Sequence, residues 1–126
     1  MQKDWKKILS NEEFFVCRQK GTEPAFSGDY DKFFEEGEYL CKCCGAHLFN
    51  SKYKYDSGSG WPSFTLPAKE ENILFIEDRS HGMTRIEAQC SKCHSHLGHV
   101  FDDGPRPTGK RYCINSISLQ FKKDTK

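Results

Sequence analysis

No apolar run in this chain of 126 residues approaches the length of a membrane span. The opening stretch, Met1 to Leu9, carries charges where a secretion signal needs an uninterrupted apolar segment, so the protein is expected in the cytosol. Net charge is also scarce. Nineteen Lys and Arg face eighteen Asp and Glu, a balance of +1, and the two signs are interleaved, as in Asp31-Lys32 and Lys69-Glu70-Glu71. No basic stripe exists to neutralise phosphates, which argues against nucleic acid as a partner; Lys122, Lys123 and Lys126 read as a solvated tail. Internal repeats and low-complexity segments are absent. Apolar residues make up only 36% of the chain, enough for one modest core and little surplus stability, so a chain of this size is expected to carry a staple.

Cysteine, by contrast, is abundant. Seven are present, an odd number, and in a reducing compartment paired cysteines serve metals or chemistry more often than permanent bridges. Cys41 and Cys44 form one C-x-x-C, and Cys90 and Cys93 form another. Each pair can present two thiolates from a tight turn, and two such knuckles complete a tetrahedral four-thiolate site, the arrangement of a structural zinc. Gly45 directly after Cys44 suits a backbone that folds back beneath the sulfurs and makes Cys43 the surplus member of its doublet. A full set of four thiolates leaves no open coordination position, so this Zn2+ is expected to hold the fold without touching substrate. The zinc-deaminase pattern is missing: no histidine is followed two residues later by Glu, and Gln89, not proline, precedes Cys90.

The fold signals are those of a mainly β chain with a helical lead-in. Trp5, Ile8 and Leu9 fall on one helical face, and Ser10-Asn11-Glu12-Glu13 supplies an N-cap for a second short helix. From Glu38 onward, short segments rich in aromatic and β-branched residues alternate with glycine-marked turns. They predict strands at Tyr39 to Cys43, Leu48 to Tyr55, Ile73 to Glu77, Thr84 to Gln89, Tyr112 to Ile114 and Ser116 to Phe121. One domain over residues 1–126, with its core at about 9–121, is the expectation.

Three clusters carry chemistry. In Arg111-Tyr112-Cys113-Ile114-Asn115, the period of two puts Arg111, Cys113 and Asn115 on one strand face, and a nearby guanidinium favours thiolate over thiol. A buried cysteine beside a surface arginine fits this segment equally well. In His94-Ser95-His96-Leu97-Gly98-His99-Val100-Phe101-Asp102-Asp103-Gly104-Pro105, a kink at Gly98 would let His96 and His99 converge as proton donors, with Asp103 available to orient a ring. In Gly58-Ser59-Gly60-Trp61-Pro62-Ser63-Phe64, Trp61 and Phe64 are candidates both for the walls of an apolar pocket and for the core.

Together with both C-x-x-C pairs, the strings Gly60 to Phe64, His96 to Phe101, Asp103 to Pro105 and Arg111 to Ser116 resemble the B-type peptide-methionine sulfoxide reductases. Further matches lie at Gly21 to Gly28 and Asp56 to Gly58, so the resemblance runs from about Leu9 to Phe121. It implies two antiparallel β-sheets with short N-terminal helices, and reduction of the R epimer of methionine sulfoxide, preferably in oxidised proteins. It also implies roles. Cys113 matches the nucleophile, Trp61 the wall for the substrate methyl group, and His96, His99 and Asn115 the polar side where the sulfoxide oxygen is protonated; Asp103 and Arg111 match supporting positions. Many members carry a resolving cysteine where this chain has Ser59. Regeneration of Cys113 must then use another thiol of the chain, with Cys17 the candidate, or an external reductant, thioredoxin by the family's habit. Cys17 reads equally as a buried filler beside Phe14, Phe15 and Val16. A non-catalytic zinc-ribbon binding module is the rival reading from another class, and it leaves Cys113 and the histidines without a role.

Overall fold

Ser10 starts the first substantial helix as its sequence requires. Its side chain accepts from the Glu13 backbone N–H while the Glu13 carboxylate accepts from the Ser10 N–H, a complete capping box. In the computed structural model, which describes residues 5–31, 33–79, 82, 84–106 and 108–123, this helix α2 spans Asn11–Arg18 and follows a single turn, α1, at Trp5–Ile8. The terminal residues Met1 to Asp4 and Lys126 lie outside the described residues. Leu9 turns inward but Ile8 is 60% exposed, so the expected face of α1 is only partly buried.

The remainder is β structure in two antiparallel sheets. The smaller contains β1 (Gly37–Cys41), β2 (His47–Asn50) and β9 (Leu119–Lys123) in the order β2-β1-β9. The larger has the order β3-β4-β8-β7-β6-β5, from β3 (Lys54–Tyr55), β4 (Ser63–Phe64), β8 (Arg111–Ile114), β7 (His96–Phe101), β6 (Arg85–Cys90) and β5 (Ile73–Asp78). Two predicted strands are shortened by 3-10 turns. Asn50 caps the turn Ser51–Tyr53 by accepting from the Lys52 N–H, which ends β2 early, and Ser116–Ser118 coils before β9 begins. Strands β4 and β7 are additions to those expected from the sequence.

The two sheets share a core of Tyr39, Leu48, Phe49, Phe64, Leu97, Ile114 and Leu119, all essentially inaccessible to solvent. Phe49 stacks on Phe64, with ring centroids 4.3 Å apart, and Tyr39 meets Phe64 edge-on at 5.2 Å. Phe64 is therefore a core residue and not a pocket wall. The correction follows from pairing: Phe64 lies opposite Tyr112, whose ring also faces the core, while Ser63 lies opposite Cys113. No helix among the described residues is long and apolar enough to cross a membrane.

Candidate active site and metal centre

The two C-x-x-C turns are built alike. The Gly45 N–H donates to the Cys41 carbonyl at 2.9 Å and the Cys41 N–H to that of Ala46 at 2.8 Å. In the second turn His94 donates to Cys90 at 2.7 Å and Cys90 to Ser95 at 2.9 Å. Each turn needs a left-handed residue after its second cysteine; Gly45 supplies it at φ 80° and His94 at φ 64°. The first turn joins β1 to β2 in the small sheet, the second joins β6 to β7 in the large one. Their four sulfurs lie within 4.8 Å of one another, with Cys41 to Cys93 at 3.6 Å and Cys44 to Cys90 at 3.5 Å. A tetrahedron with metal–sulfur bonds near 2.3 Å has edges of about 3.8 Å, so the four could hold one ion and tie the sheets together.

Cys17 does not meet the expectation of a resolving thiol. It is 1% exposed on the inner face of α2, donates to the Ile117 carbonyl at 4.0 Å and lies close to Ser95, Ser118 and the Cys43 thiol. The Cys43 contact and burial both push its thiol up. A buried filler beside the metal knuckles is what the helix packing makes of it.

Cys113 sits elsewhere, on β8. Tyr112 and Ile114 turn into the core, which sends Arg111 and Cys113 to the opposite face, as the period of two requires. Across the ladder Cys113 faces His99 of β7 on one side and Ser63 of β4 on the other. A cavity of about 100 Å³ opens over this face, lined by Thr22, Trp61, Arg85, His99, Phe101, Cys113 and Asn115 together with Gly98. Five of these carry a role as site or kink residues in the sequence or the resemblance; Thr22, Arg85 and Phe101 do not. The Phe101 ring carries the Arg111 guanidinium at 4.5 Å from its centroid.

The histidines converge, though not simply through flexibility at Gly98. Gln89 pairs with His96 and Ala88 with Gly98, so the register shifts at Leu97, and the resulting bulge brings both rings to one side with centroids 5.6 Å apart. Gly98 is needed for a different reason. A Cβ there would fall 2.0 Å from the Cys113 carbonyl oxygen, so only glycine allows β7 to approach β8 this closely.

Asp103 orients neither ring. It pairs with Arg111 through two bonds, at 2.8 and 3.2 Å, on the solvent side. The ring partners are carboxylates that sequence reading missed. Glu87, 1% exposed, meets His96 Nδ1 at 2.7 Å, and Asp78 meets His99 Nε2 at 2.8 Å. Burial pulls the His96 conjugate acid down. Burial pushes the Glu87 carboxyl up, but hydrogen bonds from Gln89 and His96 outweigh it and hold the group below the ordinary carboxylate value. The pair is therefore a neutral imidazole donating to a carboxylate. His99 lines the cavity; His96 is packed behind it.

Glu23 joins the two remaining sides of the site. Its backbone carbonyl accepts from Trp61 Nε1 at 2.9 Å, and its N–H donates to Asn115 Oδ1, also at 2.9 Å. Asn115 Nδ2 donates in turn to the Leu97 carbonyl. The only sequence signal for Glu23 is its place in the Gly21 to Gly28 string, which carries no role.

The expected depression of the Cys113 thiol by Arg111 is outweighed. Burial pushes the thiol above its ordinary value, against the Arg111 charge and hydrogen bonds from Ser59 and Arg111. Ser59 thus stands beside Cys113 with a hydroxyl where a second thiol would permit a disulfide.

The arrangement can place a soft nucleophile, an imidazole and an indole wall around a small ligand. The SelR domain model matches residues 9–123. The peptide methionine sulfoxide reductase MsrB of Leptospira interrogans is 59% identical over 121 residues, covering 96% of this chain and 92% of that protein. That of Acinetobacter baylyi is 55% identical over 125 residues, covering 99% and 90%. That of Acinetobacter baumannii is 56% identical over 124 residues, covering 98% and 89%.

Proposed function

The chain belongs to the SelR-domain family of peptide methionine sulfoxide reductases, and we propose that it reduces the R epimer of methionine sulfoxide in peptides with Cys113 as its nucleophile. The observation that carries the assignment of residues is that Cys113, His99, Trp61 and Asn115 line one cavity. The sulfoxide sulfur bears a methyl group, an oxygen and the side-chain methylene. With the methyl against Trp61 and the oxygen towards His99, one epimer offers its sulfur to Cys113 Sγ and the other turns it away.

The Cys113 thiolate attacks that sulfur while His99 protonates the oxygen, which leaves sulfur poorly until it gains a proton. The protonated oxygen departs as water and leaves a Cys113 Sγ–sulfonium bond. Water then attacks Cys113 Sγ and breaks that bond, so that Cys113 ends as a sulfenic acid and methionine leaves as the thioether, the cysteine oxidised by two electrons and the substrate reduced by two. Trp61 and Asn115 bind and orient, both anchored to the Glu23 backbone. Arg111, fixed by Asp103, favours the thiolate. Two external thiols then reduce the sulfenic acid, releasing water and a disulfide, because Ser59 cannot form the internal disulfide and Cys17 is buried against Cys43. Thioredoxin is the reductant we propose, in the cytosol, with oxidised proteins as substrates.

Cys41, Cys44, Cys90 and Cys93 would hold the structural zinc, a four-thiolate set that supplies cohesion and no chemistry. We take residues 1–126 as one domain. A non-catalytic zinc ribbon would give the cavity at Cys113 no purpose. The test is to mix the zinc-loaded protein with one equivalent of R-sulfoxide peptide and dimedone, without reductant. One equivalent of methionine and a dimedone adduct on Cys113 are expected; an adduct on any other cysteine contradicts the assignment.

A further inference from the structure

His96 and His99 look alike in the sequence but are held differently. His96 is 3% exposed and bound to a carboxylate that is itself buried. His99 is the cross-strand neighbour of Cys113 and lines the cavity. Its Nε2 lies 2.8 Å from Asp78 Oδ2, which leaves Nδ1 as the ring nitrogen to serve the cavity. Asp78 is the last residue of β5, across the ladder from Arg85 at the start of β6, and Arg85 Nη2 lies 3.5 Å from the same carboxylate oxygen. Arg85 also lines the cavity. The hairpin β5-β6 therefore delivers a carboxylate and its counter-cation to the far side of the ring that faces the nucleophile.

We propose that Asp78 is a positioning residue for the reaction: it fixes the orientation and protonation of His99, with Arg85 holding Asp78 in place. The proposal rests on the reading of His99 as proton donor. A carboxylate that accepts the Nε2–H fixes which ring nitrogen faces the cavity and favours the imidazolium over the neutral ring, so that Nδ1 can pass a proton to the sulfoxide oxygen. Asp78 stays ionised throughout, and the proton count closes when His99 is reprotonated from solvent. Among the described residues, the other charged or titratable groups around His99 are Arg85 and Glu87 on β6, His96 on its own strand, and Cys113 and Arg111 on β8. Among these, Glu87 is engaged by His96, Gln89 and Lys20. Asp78 is thus the anion that acts on His99 directly.

The experiment compares the full-length zinc-loaded protein with Asp78→Asn and Asp78→Glu. Loss of the anion removes the stabilisation of the imidazolium, so in Asp78→Asn the NMR titration of His99 is expected to move to lower pH by about one unit. The alkaline limb of kcat/KM for an R-sulfoxide peptide moves down with it, so activity falls about tenfold at pH 8 and far less at pH 6. Asp78→Glu restores most of both, and the pH dependence of Cys113 alkylation is unchanged in both variants. An unmoved His99 titration overturns the proposal, as does an activity loss equal at every pH. If the parent protein turns over no sulfoxide, the functional reading fails, and the His99 titration still decides the role of Asp78.

Discussion

Burial and Arg111 pull the Cys113 thiol in opposite directions, and burial wins. Alkylation of Cys113 by iodoacetamide should therefore show a midpoint above the ordinary thiol value of about 8.5. Arg111→Met removes the opposing charge, so the midpoint rises further and alkylation at pH 7.5 slows. A midpoint below that ordinary value in the parent protein, or faster alkylation of the variant, contradicts this balance. The neighbouring hydroxyl gives a second test. Ser59→Cys should convert an enzyme that accumulates a sulfenic acid into one in which the introduced thiol forms a disulfide with Cys113 after one turnover, detectable by peptide mapping and by loss of dimedone labelling. Undiminished dimedone labelling of that variant would show that residue 59 does not reach the reacting sulfur. At this scale the sequence is informative about which side chains gather at the cavity and silent about their energetics. Arg111, Cys113 and the histidines can be read from spacing, but whether a thiol is raised or lowered depends on what covers it, and that is set by residues far along the chain.

The β6-β7 ladder decides what the histidines can do. On β6, Ile86 and Ala88 alternate with Arg85, Glu87 and Gln89, a pattern that reads as one core face and one solvent face. The apparent solvent face is instead covered, and Glu87 and Gln89 are buried on it. For this reason Glu87 and Asp78 are invisible in the sequence as ring partners, and β7 is obscured by the polar string that it carries. The Glu87–His96 pair gives pH a handle on stability. The native Glu87 carboxylate lies below its unfolded value and the native His96 imidazolium also lies below its own. In both cases the unfolded chain binds protons more readily, so the contribution is fully present above about pH 6.5, the unfolded histidine value, and is lost progressively as pH falls. Urea midpoints should drop between pH 7 and pH 5, and the drop should shrink in His96→Asn; equal slopes in the two proteins would contradict the assignment. Gly98→Ala brings a methyl group against the Cys113 carbonyl and should cost on the order of 1–3 kcal/mol, read as a lower urea midpoint together with reduced activity.

Two sheets, one core and a knuckle from each sheet make up the whole molecule. The four sulfurs are legible in the sequence because two C-x-x-C units leave few alternatives, and the fold class is legible from short aromatic segments and glycine turns. What the sequence withholds is the pairing: that β4 and β7 flank β8, and that residue 23 reaches across to Trp61 and Asn115. Such contacts join residues far apart in the chain, and no local pattern encodes them. Since the knuckles link the two sheets, Cys90→Ser should lose the metal and unfold at a markedly lower temperature, with zinc content and thermal melting as the readouts. Retention of the parent melting temperature without zinc would show that the sheets hold without their clamp.

The most direct test supplies the zinc-loaded protein with dithiothreitol and a peptide bearing both epimers of methionine sulfoxide, the epimers being resolved over time alongside Cys113→Ser. The R epimer alone should disappear, and in the variant neither should. Consumption of the S epimer, or turnover by Cys113→Ser, would contradict the account.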